Sequence, residues 1–68
     1  MMDSSTIKFK TIQFINGIKY LPKSHIEIVQ HHICNQLDIE KNDENFQIIV
    51  EGIQCYFDVN NINPLINT

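Results

Sequence analysis

The stretches that decide the fold of this 68-residue chain are Ile15-Asn16-Gly17-Ile18 and Val50-Glu51-Gly52-Ile53, which contain its only two glycines. Asn-Gly between apolar residues favours a type I′ β-turn, because both central residues of that turn need a positive φ, and Glu-Gly forms a similar two-residue loop less readily. Both stretches are therefore predicted to be the turns of β-hairpins. Helix signals lie between them, so the sequence predicts an α+β fold of order ββαββ, a mainly antiparallel four-stranded sheet with one helix packed on one face.

The second predicted hairpin is amphipathic. A two-residue loop pairs Val50 with Ile53, and side chains alternate between the two faces along each strand. One face is then wholly apolar and is predicted to be core: Phe46, Ile48, Val50, Ile53, Cys55 and Phe57. The other face carries Gln47, Ile49, Glu51, Gln54, Tyr56 and Asp58.

The first predicted hairpin has apolar side chains on both faces. Ile12 and Phe14 share the second face of the sheet with Leu21, and the second hairpin adds Ile49 and Tyr56. Either a bulge near residues 10–11 shifts the alternation, or a partner or the C-terminal tail covers this face. Exposed apolar patches of this kind mark interaction sites.

The helix is predicted to start at Pro22-Lys23-Ser24, with Ser24 as N-cap and Glu27 completing a capping box. A stripe of apolar residues follows at helical spacing, formed by Ile26, Val29, Ile33 and Leu37. The helix is predicted to end near Asp38. We expect one domain over residues 1–68, with residues 1–5 and 60–68 irregular.

Composition and charge favour a protein partner. Residues 1–23 hold four lysines against Asp3, a net charge of +3, whereas residues 24–68 hold Lys41 against seven acidic residues, a net charge of −6, and together they give −3. Nucleic-acid binders usually have a basic stripe and a high pI, but here the pI is about 5.4 and arginine is absent. We therefore predict no nucleic-acid partner.

The same composition bears on location and source. No apolar run approaches the roughly 20 residues of a membrane helix, and the N-terminal residues lack the apolar segment of a secretory signal. The sequence therefore predicts a cytoplasmic protein with no membrane partner. Thirteen isoleucines and eight asparagines, with no alanine, arginine or tryptophan, indicate an AT-rich genome.

Metal or catalytic chemistry has little support in the sequence. Glu27, His31 and Cys34 fall on one helical stripe and offer the atom types that zinc binds, but paired Cys-x-x-Cys spacings are absent. Both glycines are assigned to turns, so no phosphate-binding loop is predicted. We predict a non-enzymatic protein without cofactor, and leave open whether these three side chains bind a metal.

The order strand, Asn16-Gly17 turn, strand, Leu21-Pro22 and helix resembles the opening of β-grasp proteins, which include ubiquitin-like proteins and sulfur carriers. The resemblance spans about residues 11–60 and implies a β-grasp-like sheet. Sulfur carriers end in Gly-Gly, whereas this sequence ends in Asn67-Thr68, so no carrier residue is transferred to this chain.

We therefore predict a small protein-protein interaction protein, such as an adaptor, an antitoxin, or a phage or viral inhibitor of a host protein. The alternatives are a homodimeric structural module and a degenerate sulfur-carrier or metal-binding β-grasp protein. The predicted partner-binding residues are an apolar anchor and an acidic group. The anchor consists of Ile12, Phe14, Ile49 and Tyr56, and the acidic group of Glu40, Asp43, Glu44, Glu51 and Asp58.

Overall fold

The computed structural model describes residues 3–59, which form three α-helices: α1 (Ser4–Ile15), α2 (Lys23–Leu37) and α3 (Asp43–Val59). No strand occurs within these residues. The predicted α+β fold, with its ββαββ order and four-stranded sheet, is therefore wrong, and so is the β-grasp resemblance. Residues 4 and 5, predicted to be irregular, begin α1, whereas residues 60–68 lie outside the described part of the chain.

The three helices form an up-down-up bundle joined by short connections. Lys8 contacts Glu51, and further along both helices Gly17 contacts Tyr56, so α1 and α3 run in the same direction. α2 runs in the opposite direction, since Asp38 at its end lines a cleft with Asp3 at the start of α1. α1 packs most extensively against α3. Such a bundle needs apolar stripes at helical rather than strand spacing.

The Asn-Gly pair ends α1 instead of forming a hairpin. Asn16 has φ −58° and ψ 128°, Gly17 has φ 94°, and the Ile18 N–H donates to the Ile15 carbonyl at 3.0 Å. A negative φ followed by a positive one is typical of a type II turn, not type I′. The predicted need for glycine at position 17 is confirmed, whereas the strands on either side of it are not. At the other end of α1, Asp3 is the N-cap, and the hydrogen bond from the Thr6 N–H lowers the pKa of its carboxyl.

The predicted helix is confirmed as α2, and so is its end, because Asp38 is the C-cap in the left-handed region with φ 56°. The predicted capping box is wrong. Pro22 is the N-cap, and no side chain caps this helix terminus. The predicted core stripe is confirmed, since Val29 and Ile33 are buried while Ile26 and Leu37 pack against the core.

Helix α3 replaces the second predicted hairpin. Asn42 precedes it and accepts a hydrogen bond from the Asn45 N–H at 2.8 Å, as an N-cap side chain does. Ile49, Ile53 and Phe57 recur every four residues and are fully buried. Cys55, predicted to be core, is exposed, and Ile49, predicted to be outside, has no exposed surface.

Gly52 lies at a close contact between α1 and α3. A Cβ atom added to Gly52 would lie 3.2 Å from Lys8 Cα, 3.3 Å from the Lys8 carbonyl oxygen and 3.3 Å from Thr11 Cβ. Thr11 is fully buried opposite it, and its hydroxyl donates to the Ile7 carbonyl at 2.8 Å. The glycine therefore serves helix packing rather than a turn.

The core is a single cluster shared by all three helices. Its buried residues come from α1, α2, α3 and the α1–α2 connection: Ile7, Ile15, Leu21, Val29, Ile33, Cys34, Ile49, Ile53 and Phe57. The buried side chains of each helix thus lie on one inward-facing stripe, whereas Phe9, Ile28 and Val59 are exposed.

Candidate functional site

Four of the five predicted acidic residues lie on α3, and the helix brings them onto its outer side. Glu44, Glu51 and Asp58 are seven residues apart, which is about two helical turns, so they form one stripe. All three and Asp43 are exposed, on the side of α3 away from the buried isoleucines. We call Asp43, Glu44, Glu51 and Asp58 the acidic face.

The contacts of the acidic face leave its negative charge largely in place. Glu51 Oε1 lies 3.4 Å from Lys8 Nζ, with the side chains 49% and 40% exposed. Exposed pairs of this kind contribute at most about 1 kcal/mol. Asp58 accepts a hydrogen bond from the neutral Gln54 amide at 3.0 Å. Asp43 and Glu44 lie in the first turn of α3, where the partial positive charge of the helix terminus favours carboxylates.

Glu40, the fifth predicted acidic residue, lies in the α2–α3 loop. This loop and the start of α1 border an open cleft of about 660 Å³, which Glu40 lines together with Asp3, Asp38 and Glu44. The Glu40 carbonyl accepts a hydrogen bond from the Asn45 side chain at 2.7 Å. Negative charge therefore continues from the acidic face to the end of the bundle.

The predicted apolar anchor does not form a surface. Ile49 is fully buried, and the Tyr56 hydroxyl accepts a hydrogen bond from the Gly17 N–H at 2.8 Å, so it ties α3 to the α1–α2 connection. Ile12 is half-buried on α1, and Phe14 is 41% exposed and stacks on His32 with ring centroids 4.1 Å apart. The sheet face that was to unite these residues does not exist.

Glu27, His31 and Cys34, for which metal binding was left open, do not converge on one point. The Cys34 side chain is buried, and its Sγ donates to the Glu40 carbonyl at 3.8 Å. Burial raises the pKa of the Cys34 thiol, against the lowering effect of the Lys41 charge, whereas zinc binds the thiolate. The His31 ring instead faces Phe46 at 5.4 Å. Among residues 3–59, no group of three or more His, Cys, Asp or Glu side chains is arranged to hold a metal ion.

Sequence reasoning missed several exposed apolar residues: Phe9, Tyr20 and Val59, which are 57–79% exposed. Reading residues 4–15 at helical instead of strand spacing would have found Phe9 opposite the buried Ile7, Thr11 and Ile15. Ile28 on α2 is also exposed, at 62%.

The two cysteines are predicted to differ sharply in reactivity. In dilute protein, a thiol reagent should modify one thiol rapidly, because Cys55 is exposed, and the second only on unfolding, because Cys34 is buried. Absorbance titration of the released chromophore measures both phases. Cys55→Ser should remove the rapid phase, and two rapid thiols in the wild type would contradict the described burial.

No protein-family model matches this chain, and neither the search of curated proteins nor that of solved structures finds a match. Within residues 3–59, none of the three helices has the length and apolar character needed to cross a membrane.

Proposed function

We propose that the protein is a non-enzymatic binding module that captures a basic partner protein through the acidic face of α3, as an adaptor or an inhibitor does. The observation that carries the proposal is the alignment of Glu44, Glu51 and Asp58 on one exposed side of a 17-residue helix. A helix fixes these carboxylates at intervals of about 10.5 Å over about 21 Å. A partner helix with lysine or arginine at the same seven-residue spacing matches this array.

Electrostatics supports a protein as the target. The excess of acidic residues after position 23 repels phosphate backbones, so the face is unsuited to nucleic acid. Complementary charge speeds association with a basic surface and sets its orientation. Because exposed charges are screened beyond about 8 Å at physiological ionic strength, the attraction acts mainly once the two surfaces are close.

The proposal includes a cytoplasmic location. Cys34 and Cys55 are free thiols, and the cytosol keeps thiols reduced. The interior supports binding over catalysis, since Cys34 is buried against a carbonyl and its pKa is raised. Binding by the surface of α3 requires no metal and no cofactor.

Partner capture is expected to depend on α3 charges specifically. Glu44→Gln with Asp58→Asn removes two charges from the acidic face while keeping the side-chain shapes and leaving Glu51 in place. Glu27→Gln with Asp38→Asn removes the same charge from exposed positions elsewhere, and asparagine tolerates the left-handed backbone at position 38. Quantitative mass spectrometry of affinity captures from source-cell extract measures the result.

We expect the α3 variant to lose several-fold of a saturable, salt-sensitive partner, and the matched control to retain it. Equal capture by both variants and by the wild type would overturn the charge-based function. Equal loss in both variants would show that net charge alone matters, and would likewise overturn a specific role for α3.

A further inference from the structure

The line where α1 and α3 meet carries matched residues on the two helices. Lys8 and Glu51 face each other at 3.4 Å. Because the helices run in the same direction, Ile12 and Cys55, each four residues further on, lie one turn along at a common height. Val59 follows Cys55 by another turn, and Phe9 adjoins Ile12 on α1. We call these six residues the seam face: Lys8, Phe9, Ile12, Glu51, Cys55 and Val59.

Apolar groups on the seam face are open to solvent. Phe9 is 65% exposed and Val59 is 79% exposed. Cys55, which lies between these two residues along the bundle axis, is also exposed. Both charged side chains are also about half exposed, so the intrachain ion pair leaves each charge accessible to a further partner. The face therefore combines an apolar strip with one positive and one negative charge at the same height.

These charges are arranged for self-recognition. A two-fold axis parallel to the helices places α1 of one copy against α3 of the other and keeps every residue at its own height. Lys8 of each copy then meets Glu51 of the other, which makes a square of alternating charges. At the next turn, Ile12 of each copy meets Cys55 of the other.

We propose that the seam face binds a second copy of this chain in a parallel two-fold dimer. A two-fold interface must be complementary to itself, and a patch with both signs of charge at one height meets that requirement. Within the seam face, a wholly basic surface would attract Glu51 but repel Lys8, so only a surface with both signs of charge matches the two side chains together. Folding of a chain this short buries only about 60% of its surface, and a dimer covers the exposed Phe9 and Val59.

The test uses two single variants with reversed charge, Lys8→Glu and Glu51→Lys. Each variant is measured alone and in a mixture with the other. Each variant alone gives the seam four like charges, so we expect its dimer dissociation constant to rise by at least about tenfold. In an equimolar mixture, the acidic seam of one variant faces the basic seam of the other, and a heterodimer should form. Sedimentation equilibrium over a range of concentrations measures association, with far-UV circular dichroism confirming that each variant remains helical.

The mixture distinguishes an interchain from an intrachain role of the Lys8–Glu51 pair. If the pair acted only within one chain, mixing the two variants would not restore dimer formation. Lys10→Glu, with the same charge change outside the seam face, should leave the dimer unchanged. A bismaleimide should join Cys55 to Cys55 in the wild-type dimer and fail in Cys55→Ser. A wild type that stays monomeric at high concentration, a mixture that stays monomeric, or a Lys10→Glu variant as weak as Lys8→Glu would each overturn the proposal.

Glu51 belongs to both the seam face and the acidic face, but the tests of the two proposals change different residues. The dimer is measured in the purified chain alone, and the capture experiment leaves Lys8 and Glu51 unchanged. A monomer that still captures its partner through Glu44 and Asp58 would overturn the dimer only.

Discussion

Replacing Gly52 with leucine should leave much of the protein unfolded in buffer. The position is buried, and even a Cβ atom would lie 3.2 Å from Lys8 Cα and 3.3 Å from the Lys8 carbonyl. These are backbone atoms of a neighbouring helix, so they move only if α1 moves. Overpacking a core by added methylene groups costs about 1–3 kcal/mol and sometimes more, and here α1 has no other surface of comparable extent to pack against.

The expected loss in the free energy of unfolding is large relative to the total stability of the chain. A chain of 68 residues has roughly 3–10 kcal/mol of stability at typical values per residue. Urea unfolding followed by far-UV circular dichroism, at one fixed protein concentration, gives the free energy of unfolding. We expect a loss of about 3 kcal/mol for Gly52→Leu, the upper end of that range, because backbone atoms block the added side chain.

A leucine elsewhere on α3 provides the control. Gln47 is exposed on the same helix, so Gln47→Leu adds similar apolar bulk without entering the α1–α3 contact and should change stability by less than about 0.5 kcal/mol. Leucine is a far better helix former than glycine, so Gly52→Leu would stabilise α3 if no other helix lay close to position 52. If Gly52→Leu were neutral or stabilising, the close approach of α1 and α3 would be wrong.

The two glycines explain why the sequence predicts hairpins where the structure has helices. Gly17 adopts the positive φ expected of a turn residue, but the turn ends a helix. Gly52 sits inside a helix, where it costs about 1 kcal/mol relative to alanine. The compensation is the contact of Gly52 with Lys8 and Thr11 of α1, which lie more than 40 residues earlier in the sequence. Local turn preferences carry no information about such a contact.

The abundance of isoleucine made the spacing ambiguous. In residues 46–57 the apolar positions are dense enough to fit either a period of two or a helical stripe, and β-branched residues favour strands in isolation. In α2 the apolar residues are sparser, so only the helical period fits, and this helix and its end at Asp38 were predicted correctly. Helix α1 was missed because its polar and apolar residues alternate in part.

The acidic group was predicted from charge alone, which does not depend on secondary structure. The arrangement of the acidic residues does depend on secondary structure. A hairpin would have put Glu51 in a turn, whereas the helix aligns Glu51 with Glu44 and Asp58. The apolar anchor depended on strand alternation, so it failed with the sheet. Ile49, predicted to lie on the surface, is buried, and Cys55, predicted to lie in the core, is exposed.

Truncating the neighbouring residues Ile49 and Val50 should separate the two readings of the chain. Ile49 is fully buried among the helices, and Val50 is only half-buried. Ile49→Ala removes apolar atoms from the centre of the core and leaves a cavity, so we expect a loss of about 2–5 kcal/mol. Val50→Ala removes partly solvated atoms and gains helix propensity, so we expect a change below about 1 kcal/mol.

A sheet would reverse this order, because alternation puts Val50 in the core and Ile49 on the open face. Urea unfolding by circular dichroism at fixed protein concentration measures both variants against the wild type. Ile49→Ala should also keep the urea dependence of the unfolding free energy, since the surface exposed on unfolding changes little. A larger loss for Val50→Ala than for Ile49→Ala would contradict the helical α3, and with it the alignment of carboxylates on which the acidic face depends.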